Sequence, residues 1–142
     1  MQARDRQIVL ETSAEVFMAK GRLAEIFYGH LFDLAPEARS LFSGEMVQQR
    51  KMFMSALSLT IGLLGDRPRL TAMAEHMGRV HAVKGVGPMH FALGAQAFDL
   101  AICDFFGEAC TPEICKAWHA AYSEITGIMC DAAAKKAGST AA

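Results

Sequence analysis

Three blocks decide how this chain is read: Phe27-Tyr28-Gly29-His30-Leu31-Phe32, then Ala35-Pro36-Glu37-Ala38-Arg39-Ser40-Leu41-Phe42, then Gln49-Arg50-Lys51-Met52-Phe53. The first lies inside a helical segment, the second straddles a proline break, and the third opens a new helix. Gln49, Phe53 and Leu57 recur every four residues, so they share one helix face, with Ala56 beside them. That face is otherwise apolar and carries one amide at its N-terminal end. Read alone, such a glutamine is a boundary residue with its head in water. His81 closes a later segment, Leu70–His81, which has Met73, Met77 and Val80 on or near its apolar side. A helix-terminal histidine read alone is a cap or a surface residue.

Outward from these blocks the period is helical throughout. No Asn-Gly or Asp-Gly hairpin signal and no sustained period-two run appears. Breaks fall at Gly21, Pro36, Gly44, Gly65–Pro68, Gly85–Pro88 and Gly107–Pro112. They predict seven helical segments near 3–20, 22–34, 36–42, 45–64, 68–81, 88–106 and 112–135. Thr111-Pro112-Glu113 opens the last with a capping hydroxyl, a first-turn proline and an early acid. With no internal repeat and no linker, residues 1–142 read as one domain, its core about 5–135 and its tail 136–142 frayed. Helices of this length bury their apolar stripes against one another, as a bundle or a helical sandwich.

Composition narrows the function classes. At 142 residues the chain can bury a sizeable core, and its apolar fraction of 52% leaves room for a greasy ligand. A net charge of -1 with scattered Lys and Arg argues against nucleic acid as a partner. Met1–Arg6 carries no apolar leader, and Ser55–Gly65 is too short to span a bilayer, so no membrane is expected and the cytosol is the default compartment. Cys103, Cys110, Cys115 and Cys130 form no C-x-x-C pair, which removes the usual zinc, thioredoxin and covalent-haem spacings. They read as reduced, packed thiols.

Taken together and in order, the blocks from Phe27 to Phe53 and the later His81 resemble the globins. Among these the chain is most similar to the haem domain of flavohaemoglobins and to single-domain bacterial haemoglobins, over roughly residues 5–135. The resemblance implies an all-α globin fold around a non-covalent haem b, with His81 as the proximal iron ligand. It implies that Phe42 packs against the porphyrin, that Tyr28 points its hydroxyl at the bound gas and that Gln49 assists it, with Gln48 as the alternative. Phe53 would limit the ligand site, and Met52, Met77, Leu93 and Phe98 would be pocket walls. No second histidine is placed to fill the sixth position, which is expected to be open or water-filled. His76, His30, His90 and His119 read as solvent, surface or loop residues.

Two departures from that family stand out. Where flavohaemoglobins carry a tyrosine and a glutamate behind the proximal histidine, this chain has Phe91 and Ala133. Glu124 and Asp131 fall on another turn or face. A flavin or nicotinamide domain is not expected in these 142 residues. The implied activity is therefore reversible binding of O2, with NO and CO as further ligands, for oxygen transport or storage. The alternatives are a nitric oxide dioxygenase served by an external reductase and a haem-based gas sensor.

Overall fold

The computed structural model describes residues 1–141, with backbone alone for 137 and 139–141. Six α-helices follow in order: α1 (Ala3–Met18), α2 (Arg22–Leu34), α3 (Met46–Gly62), α4 (Arg67–Val83), α5 (Pro88–Phe106) and α6 (Pro112–Ala141). Short 3-10 helices at Pro36–Leu41 and Gly107–Ala109 fill two connections. The segment expected as a helix over 36–42 is thus a 3-10 turn: Pro36 starts it, and six residues are too few to repay α-helix nucleation. The last helix runs on to Ala141 through residues expected to fray. Its Ala132-Ala133-Ala134-Lys135-Lys136 run consists of strong helix formers, and Ala142 lies outside the described residues. There is no strand among the described residues, as the helical period requires.

The helices make a sandwich. α2 packs on α5, α4 packs on α6, and α1 and α5 also lie against α6. Trp118 is fully buried where α6 meets α1, and its indole donates to the Thr12 hydroxyl at 2.9 Å. That bond satisfies the polar atom of the largest core side chain. The core continues through Val9, Val16, Leu23, Leu70 and Ile102.

Two glycines determine where α4 sits. A Cβ on Gly78 would come within 2.2 Å of the Met129 carbonyl oxygen, so only glycine lets α4 cross α6 this closely. At the end of α4, Gly85 adopts φ 88°, a left-handed conformation natural to glycine. Val86 N–H then donates to the His81 carbonyl at 3.0 Å, and Gly85 N–H to that of Ala82 at 3.1 Å. These paired bonds are a Schellman stop, placed so that α4 ends one turn after His81.

No helix among the described residues is long and apolar enough to cross a membrane. All four cysteines are free thiols, and none is fully buried: Cys103 is exposed and the other three are half-buried. The reduced, packed thiols expected from composition are met in part: all four are free and Cys110 packs against the core, while Cys103 is exposed.

Candidate functional site

Between α3 on one side and α4 and α5 on the other lies a slot of about 380 Å³. Its size falls within the roughly 300–1,000 Å³ range of cofactor sites. One wall is built by α2 and α3. Phe27 and Tyr28 come from the buried face of α2, and the four-residue repeat of α3 brings Gln49 and Phe53 to meet them. Phe27 stacks on Phe53 at 4.5 Å, and Tyr28 meets Phe42 and Phe53 edge-to-face at 5.6 and 5.7 Å. These ring contacts leave Tyr28 little freedom to turn.

Gln49 Nε2 donates to the Tyr28 hydroxyl oxygen at 3.0 Å. The phenol oxygen is thereby used as an acceptor, and its own proton has no acceptor among the described residues. Burial pushes the Tyr28 hydroxyl above its ordinary pKa, with the Gln49 bond opposing. It stays a neutral donor. Gln48 is exposed and takes no part in the slot, so the distal register runs through Gln49.

The opposite wall carries His81, half-buried on the last turns of α4. Its Nδ1 donates to the Met77 carbonyl one turn back at 2.6 Å. A carbonyl can only accept, so this bond sets the tautomer and leaves Nε2 with a free lone pair. Burial is the first cause that holds His81 below the usual histidine pKa. The Met77 bond opposes this and nearby Lys84 adds to it. Neutral imidazole is the ligating form.

Behind His81 the surroundings are apolar. Phe91 lies 5.9 Å away, centroid to centroid. A second, smaller hollow of about 260 Å³ is lined by Phe91, Cys130 and Ala133 together with small residues of the α4–α5 turn. The two carboxylates weighed from the sequence are turned elsewhere: Glu124 pairs with Arg67, and Asp131 is exposed.

Of the residues singled out in the sequence, Tyr28, Phe42, Gln49, Met52, Phe53, Met77 and His81 all line the slot. Leu93 and Phe98 do not. Phe98 is fully buried one layer below, where its ring lies against Tyr122 at 4.0 Å. Tyr122 and Gly94 form the slot surface there instead. Helical period puts Tyr122 next to the core and cannot tell that it lines a cavity. Burial raises its pKa, with Tyr28 adding to the effect.

His76 and His90 also reach the slot, against the sequence expectation of solvent and loop positions. His90 Nδ1 accepts from Gly87 N–H at 3.1 Å, which caps α5 and holds the ring at the rim. His30 and His119 are surface residues, paired with Asp104 and Asp99 at 2.6 and 3.0 Å.

The donor set suits a flat apolar group with a metal at its centre. His81, with Nε2 free of a hydrogen bond, lines one wall, the Tyr28 phenol lines the other, and most of the remaining lining is apolar. Met52 and Val80 line the slot and are nevertheless 49% and 38% exposed, an apolar mouth that such a group would cover.

The family model described as Globin matches residues 25–129. The chain is similar to a flavohemoprotein of Bordetella pertussis, 26% identical over 125 residues, covering 85% of this chain. It spans only 31% of that relative's length. Among solved structures it is similar to the engineered carbene transferase RmaNOD from Rhodothermus marinus, whose description names a nitric oxide dioxygenase. There the TM-score is 0.84 at 25% identity, covering 99% of this chain and 96% of the other. A bacterial globin from Campylobacter jejuni shares the fold at TM-score 0.80 and 20% identity, covering 94% and 97%.

Proposed function

The chain belongs to the globin family, and on that footing we propose that it holds haem b through His81 and binds oxygen and other diatomic gases reversibly, as a carrier or store. The observation that carries the reading is the Gln49–Tyr28 hydrogen bond on the wall opposite His81. Haem supplies the iron on which a diatomic gas is taken up and released. The chain supplies the rest. His81 Nε2 is the metal ligand, kept neutral by burial and held in one tautomer by the Met77 carbonyl. Tyr28 offers its proton to the gas, because Gln49 already occupies its oxygen. Phe53 and Phe42 restrict the space above the group and exclude water. Lys84 and His90 stand at the rim, where cationic or hydrogen-bonding side chains suit the carboxylate arms of haem.

Absorption spectra of the ferric, ferrous, oxygenated and carbonyl forms test this reading. A Soret band, a five-coordinate ferrous form and a stable oxygenated form support it. A colourless protein that takes up no added haem overturns it.

A second reading, nitric oxide dioxygenation with an external reductase, is favoured by the same Tyr28–Gln49 pair and by likeness to flavohemoproteins and to the Rhodothermus protein. Rapid turnover of nitric oxide by the oxygenated form, sustained by an added reductase, selects it over the carrier. Consumption that stops after one equivalent returns the reading to the carrier.

A further inference from the structure

Away from the slot, three sulfurs converge where α5 turns into α6. Cys103 lies in the last turns of α5, Cys110 follows the Gly107–Ala109 turn, and Cys115 lies in the first turns of α6. Gly107, at φ 54°, reverses the chain, and Pro112 restarts it as a helix. Cys115 Sγ is 2.8 Å from Cys110 Sγ and 3.4 Å from Cys103 Sγ, and all three lie within 4.8 Å of one another. Core packing accounts for them only in part: Cys110 lies against the core, but none of the three is buried and Cys103 is exposed.

From this geometry we propose that Cys103, Cys110 and Cys115 form a surface site for a single thiophilic metal ion, with Cu(I) as its occupant. Three thiolates around one ion at about 2.3 Å stand roughly 4 Å apart in a plane. The observed separations reach that arrangement by small side-chain rotations. Soft thiolates select Cu(I), Zn(II) and iron–sulfur clusters. A structural Zn(II) site takes four protein ligands, and among the described residues no fourth His, Cys, Asp or Glu joins these three. The nearby candidates are already engaged: His119 Nδ1 is paired with Asp99 at 3.0 Å, and Asp104 with His30 at 2.6 Å. An all-sulfur set of three suits the monovalent ion, and the two adjacent carboxylates favour a cation further. Because the cysteines come from two helices and the turn between them, the bound ion would clamp the α5–α6 corner.

The test is a Cu(I) titration of the reduced protein, as purified and under nitrogen, against a coloured Cu(I) chelator. One equivalent per chain should be withheld from the chelator, and X-ray absorption should show three sulfur neighbours at about 2.2–2.3 Å. Cys103→Ser, Cys110→Ser and Cys115→Ser should each weaken retention on the order of a hundredfold, since loss of a ligand costs at least as much as loss of its outer-shell support. Cys130→Ser should retain full binding, with circular dichroism confirming that every variant is folded. Equal retention by the triple serine variant overturns the proposal. So does a Cys110–Cys115 disulfide that survives the reductant, or Zn(II) held in preference to Cu(I) with a nitrogen or oxygen as fourth neighbour.

Discussion

The two walls of the slot are built on opposite principles. On the Tyr28 side a polar pair is set inside an aromatic cage, and a hydrogen bond between side chains from α2 and α3 occupies the phenol oxygen. On the His81 side the only hydrogen-bond partner among the described residues is the helix's own backbone, and beyond it lie Phe91, Ala133 and a hollow. Any discrimination between ligands is therefore concentrated on one wall. On the proposed reading the other would hold the metal without pushing electrons toward it: a backbone carbonyl is a weaker acceptor than a carboxylate, so the imidazole gains little basicity.

The sharpest way to break this comparison is to remove the proximal anchor. His81→Gly should lose most of its haem, or retain it only with added imidazole. A variant that keeps an ordinary five-coordinate histidine spectrum would transfer the ligand role to His76, the next histidine along α4.

The distal wall should respond through rates instead of occupancy. A hydrogen bond to a partly charged acceptor contributes roughly 1.5–3 kcal/mol, so Tyr28→Phe should speed oxygen dissociation about tenfold or more. Gln49→Leu should move the rate the same way but less, since it removes the bond to the phenol oxygen without removing the Tyr28 proton. Stopped-flow displacement by carbon monoxide measures both, and an unchanged rate in both variants ends the distal model.

The smallest effect sharpens the contrast between the walls. The ferrous protein should show an iron–histidine stretching frequency in the oxygen-carrier range. Phe91→Tyr combined with Ala133→Glu should raise it, because the hollow has room for a hydrogen-bonded pair behind His81. A high frequency in the unaltered protein would mean that a carboxylate reaches His81 after all.

Alkaline titration checks the cavity side without any gas. Tyr28 and Tyr122 are the chain's two tyrosines, and burial raises both above the ordinary value near 10. The unfolded chain gives up these protons at lower pH than the folded one. Their contribution to stability is therefore complete below about pH 10 and is lost as pH climbs beyond it. Tyrosinate absorbance should appear together with loss of helix. A step near pH 10 with the circular dichroism unchanged would show that these hydroxyls are open to bulk solvent.

Much of this was legible in the linear chain. The 3.6-residue period and the glycine and proline breaks located α1 to α5 to within about two residues at each end, but not the 3-10 character of Pro36–Leu41 or the far end of α6. The order of Tyr28, Phe42, Gln49 and His81 identified which side chains gather at the slot. Legibility failed at depth within a helix. Phe98 and Tyr122 both sit on core-facing stripes, and only their mutual stacking decides that Tyr122 meets the cavity while Phe98 lies beneath it. It failed as well at Gly78, whose missing side chain matters only because the Met129 backbone arrives from another helix. The three cysteines, unremarkable by spacing, meet because Gly107 folds one helix end onto the start of the next.

By itself, then, the sequence determined what is local: helix and break positions and which face of each helix is apolar. These follow from backbone sterics and side-chain periodicity, which act over a few residues. Only the tertiary structure decided the direction of each polar atom. Gln49 donates to Tyr28, His81 turns its Nδ1 to its own helix, Glu124 turns away to Arg67, and three thiols converge. The physical reason is that a hydrogen bond or a sulfur contact is settled within about an ångström. Distances that short are set by how whole helices cross, and those crossings are fixed by packing between segments far apart in the chain.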